Sequence, residues 1–485
     1  MGTILILLLL FPILGAVIAG MVKKGTNVIA VIAGTGALLL TAALFLNLPP
    51  DLSFRTVPVQ LQWLQDHLVD GLFGFQIDPL GLIMLLVVVV LGFLNIVYST
   101  AYLSRGNKEH PTEEGRQRHH FWMLLFVASM IGVAMSPNLF QLYIFWEMTT
   151  LCSWALISHY RNEDSLKAGF KALLMTFSGG IFFAIGLVIL FVSTGSFEFS
   201  AVSQLSPELK GWVFFFFLVA AWAKSAQVPF FTWLPDAMAA PTTVSMYLHA
   251  AAMVKAGVFL ISRLAVANSD LAFGSGLLVG IMAVVTMLVA LYLFFYQDDL
   301  KRLLAYSTIA HLGYVFFGIG LGIMGSTTGL MGGLMHIMNH GVGKGLLFLC
   351  VGAISYVSGS RSIKQLSGLA KTSPLIAVAF FTGMFAILGI PPFSGFWSKF
   401  YLLIGTLDVG GTVGILLLIP FLLEIIIAFA WFLHVGHKVF FGRVSTTASN
   451  AGKLPFAISF ALVVMSVLTL VAPVVALFLV KLIFI

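Results

Sequence analysis

About fourteen apolar runs follow one another along this 485-residue chain, each near the roughly 20 residues that a helix needs to cross a hydrocarbon core. They fall near 3–22, 28–47, 77–103, 119–136, 138–158, 167–193, 211–233, 241–264, 272–296, 302–323, 328–356, 374–404, 411–436 and 455–483. A segment surrounded by lipid must satisfy its own backbone donors and acceptors, so runs of this length predict helices. Charged residues make up 9% of the chain, against about 25% in a soluble domain. The fold class is therefore an all-α polytopic membrane protein. The longest connections, around 48–76 and 104–118, are too short for a soluble domain. Leu-Gln-Trp-Leu and Phe-Gly-Phe-Gln in the first of them point to a small hairpin. The first run lacks a basic stretch before it and a cleavage pattern after it, so it reads as a span, not a signal peptide.

Charge gives the orientation. The net charge of +7 is no nucleic-acid signal in such a chain, because basic residues mark cytoplasmic loops. With the N-terminus outside, the inner loops hold seventeen lysines and arginines, among them Lys23, Lys24, Lys301, Arg302, Lys438 and Arg443. The outer side holds Arg55, Lys210, Arg263 and Lys481. This bias predicts a multi-pass protein of the cell's inner (cytoplasmic) membrane with both termini on the outer face. Lys224, Lys255, Lys344 and Lys399 belong to neither side, since all four fall inside spans.

The stretch from Ala220 to Gly257 departs most from a plain membrane segment. Between apolar runs it carries Lys224, Lys255, Asp236, His249 and three prolines, Pro229, Pro235 and Pro241. Proline removes a backbone donor and disfavours an unbroken helix. Broken helices at membrane depth are tolerated where the freed backbone lines a polar cavity. Two interrupted helices, each with a lysine, suggest an ion path.

Further ionisable groups extend that path. Glu147 lies well inside the fifth span, where a carboxylate is protonated or paired. His336, His340 and Lys344 recur at i, i+4 and i+8 of the eleventh, on one helix face. Lys399 follows the Pro391-Pro392 interruption of the twelfth; His311 lies in the tenth span and Glu424 in the thirteenth. Burial and pairing bring such groups towards titration at neutral pH, so protons can pass between them through water. A plainer role, packing for a histidine or neutralising a lysine for Glu424, stands beside this reading. A metal on the His/His/Lys stripe is disfavoured by the lysine's own charge. Neither cysteine, Cys152 nor Cys350, has a partner at metal-ligand spacing. No nucleotide loop or nucleophile triad is apparent, so no cofactor is expected in this chain; a flavin, iron–sulfur or nickel centre would belong to another polypeptide.

Val228-Pro229-Phe230-Phe231 in the seventh span is similar to Ile390-Pro391-Pro392-Phe393 in the twelfth. The offset of five helices reverses membrane orientation and fits inverted repeats.

The segments FWEMTTLCSW, AKSAQVPFFTWLPDAMAAPTTVSMYLHAAAMVKAGVF, LKRLLAYSTIAHLGY, HIMNHGVGKGLLFL and GIPPFSGFWSK, in this order, resemble the antiporter-like subunits shared by respiratory complex I (NADH:quinone oxidoreductase), Mrp-type cation/proton antiporters and membrane-bound hydrogenases. The resemblance covers essentially the whole chain. It implies a single membrane domain of 14 transmembrane helices with two inverted five-helix repeats and broken helices 7 and 12. Residues 1–118 would hold helices 1–3 with their loops, 119–264 the first repeat (helices 4–8), 265–441 the second (helices 9–13) and 442–485 the last helix. By the same resemblance Glu147 matches the glutamate of helix five and Lys224 the helix-seven lysine that pairs with it. His249 and Lys255 match the polar positions of helix eight, and His336, His340 and Lys344 the central axis of helix eleven. Lys399 matches the terminal site of helix twelve. The expected function is a proton-translocating subunit, with Na+ as the other candidate ion, of a complex I-related redox complex. Its partners would be other membrane subunits and a peripheral redox arm, with no nucleic acid. The alternatives are an Mrp-type Na+/H+ antiporter subunit without redox coupling and, less favoured, a transporter of a small solute.

Overall fold

The computed structural model describes residues 1–56 and 72–484. Helices occupy all fourteen expected positions: α1 (Gly2–Met21), α2 (Thr26–Asn47), α3 (Pro79–Tyr102), α4 (Arg116–Met135), α5 (Leu139–Ile157), α6 (Glu163–Thr194), α7 (Pro207–Lys224), α8a (Thr242–Ala250) with α8b (Met253–Ala267), α9 (Phe273–Phe294), α10 (Leu300–Ile323), α11 (Thr327–Ser358), α12a (Pro374–Leu388) with α12b (Ser394–Val409), α13 (Gly411–Phe440) and α14 (Phe456–Ile483). Among the described residues eleven spans are long and apolar enough to cross a membrane, with the two parts of α8 taken together. The other three positions are α5, which carries Glu147, α7, which ends on Lys224, and the divided α12.

Local chemistry fixes many of the ends. Asp78, Asn138, Asn162, Asp299 and Ser326 each accept a hydrogen bond from a first-turn amide of α3, α5, α6, α10 and α11, which satisfies donors the helix itself leaves free. Gly195, Gly359 and Gly389 close α6, α11 and α12a in the left-handed conformation that glycine adopts at little cost.

α10 and α11 form the centre. They are enclosed almost completely by other helices, whereas α1, α2 and α13 turn most of their surface outward. α11 touches α3, α8a, α10, α12a, α12b and α14. Helices so enclosed can carry polar side chains without presenting them to lipid, and the ionisable groups gather there.

Two expectations need correction, and a third falls partly outside the described residues. The eighth position divides at Ala251–Ala252 and not at a proline: the amides of both residues turn to the Tyr247 carbonyl, at 3.0 and 2.9 Å, and the helix restarts at Met253. In the connection before α3, the Leu-Gln-Trp-Leu half of the expected hairpin lies outside the described residues. Gln76 of the other half pairs with Arg55 in a short antiparallel ladder, Phe54–Arg55 against Gln76–Ile77. Two of the cations assigned to loops, Lys301 and Arg263, are buried. Lys301 donates to the carbonyls of Met238 and Ala240, at 3.0 and 2.6 Å, and so braces the link between α7 and α8a. Arg263 pairs with Asp78 and lies over the Phe259 ring at 4.9 Å.

The Asp78–Arg263 pair ties the start of α3 to the end of α8b. Burial pushes the Asp78 carboxyl up, but the Arg263 guanidinium and the bonds from Gly81 and Gln76 outweigh it and hold the carboxyl below its ordinary value. A depressed carboxyl contributes stability at neutral pH that is lost as pH falls through its folded value. Asp78→Asn keeps a cap acceptor but leaves Arg263 without a counter-ion, a loss of about 3–5 kcal/mol. Its thermal midpoint in detergent should fall well below that of the natural protein at pH 7, and the gap should narrow on acidification. An unchanged midpoint at pH 7 would remove this pair from the account of stability.

Candidate proton-transfer axis

The first group sits where α5, α6 and α7 meet. Lys224, the last residue of α7, is fully buried. Its Nζ donates to the Trp146 carbonyl at 2.8 Å and the Thr150 hydroxyl at 2.5 Å, and it stands 5.0 Å from the Trp146 ring centroid. Glu147 is on the same helix as these acceptors, half-buried, with Oε1 shielded and without a hydrogen-bond partner among the described residues. The expected Glu147–Lys224 pair is therefore not a direct ion pair within 4.0 Å. Thr150 holds the ammonium, and the two charges act on each other at longer range. Gly180 on α6 makes room for the carboxylate: a Cβ there would lie 2.0 Å from Glu147 Oε1.

The second group runs through the centre. Ser225, next to Lys224, donates to the Val254 carbonyl, next to Lys255, at 2.8 Å. Lys255 Nζ donates to the Ile337 carbonyl at 2.6 Å and lies 3.4 Å from His340 Nδ1. Gly341 permits this approach, since a Cβ there would sit 2.9 Å from the Ala250 carbonyl and 3.4 Å from Lys255 Nζ. The His340 ring stacks on His311 with centroids 5.6 Å apart. His311 Nδ1 lies 3.0 Å from His336 Nε2, and His336 Nδ1 lies 2.8 Å from Ser398 Oγ. His336 thus has a partner on each nitrogen, the arrangement in which a proton arrives at one and leaves from the other.

The third group lies beyond Ser398. Lys399 Nζ donates at 3.1 Å to the carbonyl of Leu388, the last residue of α12a, and stands 5.1 Å from the Tyr314 ring centroid. Tyr314 donates to Glu424. Lys344 donates to Ser307 at 2.7 Å. A small cavity lined by Ser307, His311, Lys399 and Glu424 offers about 10 Å³ to a water, close to the space one molecule needs.

The fold therefore gathers seven of the eight expected residues, Glu147, Lys224, Lys255, His336, His340, Lys344 and Lys399, into three neighbouring groups. His249 lies within electrostatic range of Lys344 and His340 but joins no hydrogen-bonded group: neither ring nitrogen has a hydrogen-bond partner among the described residues, and its ring packs on Phe348 at 4.6 Å. His311, the link between two histidines of α11, was legible in the sequence as an ionisable group of the tenth span without a role, whereas Ser307, Tyr314 and Ser398 did not stand out. A signal was present: Ser307, His311 and Tyr314 recur at i, i+4 and i+7, one face of a helix.

The family model described as NADH:quinone oxidoreductase/Mrp antiporter, TM, matches residues 136–426. The chain belongs to this family. A second model, NADH-Ubiquinone oxidoreductase (complex I), chain 5 N-terminus, matches residues 63–113. The Na(+)/H(+) antiporter subunit A1 of Staphylococcus aureus strain MRSA252 is 34% identical over 366 residues, 72% of this chain and 44% of the relative. The chain thus spans less than half the length of the antiporter relatives it matches. Among solved structures, the Mrp complex from Dietzia sp. DQ12-45-1b superposes with a TM-score of 0.83 at 26% identity, over 99% of this chain and 52% of the other. The membrane-bound sulfane sulfur reductase, an archaeal respiratory membrane complex, superposes with a TM-score of 0.84 at 21% identity, over 99% of this chain and 96% of the other. The second likeness is one of fold. This member of the NADH:quinone oxidoreductase/Mrp antiporter family keeps its ionisable groups on α5, α7, α8b, α10, α11, α12b and α13.

The Glu147 site gives a test by shape alone. Gly180→Ala keeps every ionisable group but forces the carboxylate aside, since the obstructed atom is the tip of a flexible side chain. Assembly should persist, and under the proton-translocating role proposed below the rate in sealed vesicles should fall about as far as with Glu147→Gln, by roughly two orders of magnitude. Natural rates in the alanine variant would show that the carboxylate's position is immaterial.

Proposed function

We propose that this chain is a proton-translocating subunit of a larger membrane complex, and that protons move along the buried bases from Lys255 to the Lys399–Glu424 end. The reading rests chiefly on the run Lys255–His340–His311–His336–Ser398, in which titratable or hydroxyl groups from α8b, α10, α11 and α12b follow one another at hydrogen-bond or ring-stacking range. In each step one N–H or O–H bond breaks as another N–H or O–H bond forms. Protonated Lys255 gives its proton to His340 Nδ1. His336 takes one at Nε2 and yields the other from Nδ1 to Ser398 Oγ, whose own O–H proton passes on towards Lys399. No direct hydrogen bond joins Ser398 to Lys399 among the described residues, so this step calls for a bridging water. The step from His340 to His311 has ring contact without a direct hydrogen bond, so it calls for a bridging water or a ring rotation.

Protein partners in the same membrane, an inner (cytoplasmic) membrane with both termini outward, belong to this proposal; the cation bias of the loops supports the orientation. Two driving forces fit. Redox chemistry in a peripheral arm is the one expected from the resemblance. Exchange with Na+ is favoured by the 34% identity to a Na(+)/H(+) antiporter subunit.

Sealed inverted vesicles holding the whole complex separate these. A pH-sensitive dye should report proton movement either after a NaCl step without electron donor, which assigns Na+ exchange, or after donor addition in Na+-free buffer, which assigns redox drive. In the active condition Lys255→Met and Lys399→Met should each cut the rate by about two orders of magnitude while leaving the complex assembled. Natural rates in both variants would overturn the proposed path.

A further inference from the structure

A groove of about 430 Å³ opens at the end of the bundle where α1 finishes and α4 begins. Its polar wall is Gln117, Arg118 and Arg161, and its apolar wall is formed by Val17, Met21 and Phe121. None of the residues lining it is acidic. The arginine ion pairs among the described residues involve Arg55, Arg116, Arg263, Arg302 and Arg361. Arg118 and Arg161 are thus two guanidiniums on one groove without a counter-ion among the described residues. Arg118 is anchored by donating to the His159 carbonyl at 2.5 Å. Arg161 is presented by a left-handed backbone, φ 57°, uncommon for such a side chain. Beyond the groove, α1 continues as an exposed apolar stripe of Leu7, Leu10, Leu14 and Val17.

We propose that this groove binds an anionic phospholipid, its phosphate between Arg118 and Arg161 and an acyl chain along the α1 stripe. The charge of the two arginines requires an anion, and guanidiniums match phosphate oxygens in geometry. The apolar wall and the stripe require that the anion carry a hydrocarbon chain. Basic pockets between transmembrane helices are recognised sites for lipid headgroups. Lys23 and Lys24, directly after α1, add positive charge at the same end.

The test uses the full chain in its assembled complex, with dioleoyl phosphatidylglycerol, dioleoyl phosphatidylcholine and inorganic phosphate as separate probes. Retained lipid is measured by native mass spectrometry. Arg161→Gln is the main variant, because the Arg161 side chain takes part in no hydrogen bond or ion pair among the described residues; Lys453→Gln, also a cation of the inner loops but outside the groove, is its control. Phosphatidylglycerol should bind more tightly than phosphatidylcholine, Arg161→Gln should weaken it about fivefold, and Lys453→Gln should leave it unchanged. Equal binding of the two lipids, or equal effects of the two variants, would overturn the proposal. Displacement of phosphatidylglycerol by millimolar inorganic phosphate would overturn it too, assigning the groove to a free anion.

Discussion

An ammonium group enclosed in a membrane protein must find acceptors, and here each buried lysine but one of the axis finds a main-chain carbonyl. Lys224 uses Trp146, Lys255 uses Ile337, Lys399 uses Leu388, and Lys301 uses Met238 and Ala240; Lys344 uses the Ser307 hydroxyl instead. None of these five lysines has a carboxylate within 4.0 Å among the described residues. A carbonyl dipole solvates the charged amine without locking it in that state, as a tight ion pair would. The amine remains able to give up its proton, which a relay requires.

Helix interruptions follow from the same constraint. The Leu388 carbonyl is available because α12a ends there, and the Met238 and Ala240 carbonyls because the chain between α7 and α8a is not a continuous helix. The break inside α8 separates His249 from Lys255 and leaves the Ala250 carbonyl facing Gly341. Polar backbone of this kind is tolerable only inside protein, and the enclosed α10 and α11 supply that interior.

The span positions were legible because length and apolarity alone decide them; α14 was expected at 455–483 and runs Phe456–Ile483. The α12 interruption was legible from Pro391-Pro392. That the helix bearing Lys255 would be interrupted was expected, but the place of the break was not, because Ala251 and Ala252 carry no local signal. Lysines in spans announced themselves by cost; His311 was legible but without a role, because a neutral histidine is cheap to bury and only the position of α10 beside α11 brings its ring to His336. Likewise the Glu147–Lys224 relationship was foreseen, but the hydroxyl of Thr150 that holds the lysine is invisible until α5 and α7 are in contact.

The central claim is that protons cross the middle of the protein through the histidines that join α10 to α11. The most direct measurement is the initial rate of proton translocation in sealed vesicles containing the complex with His311→Ala, beside a quantitation of assembled complex. The account predicts full assembly and a rate reduced by about two orders of magnitude, because His336 loses its partner at Nε2 and the path is cut between Lys255 and Lys399. Translocation at the natural rate in fully assembled His311→Ala complex would contradict it.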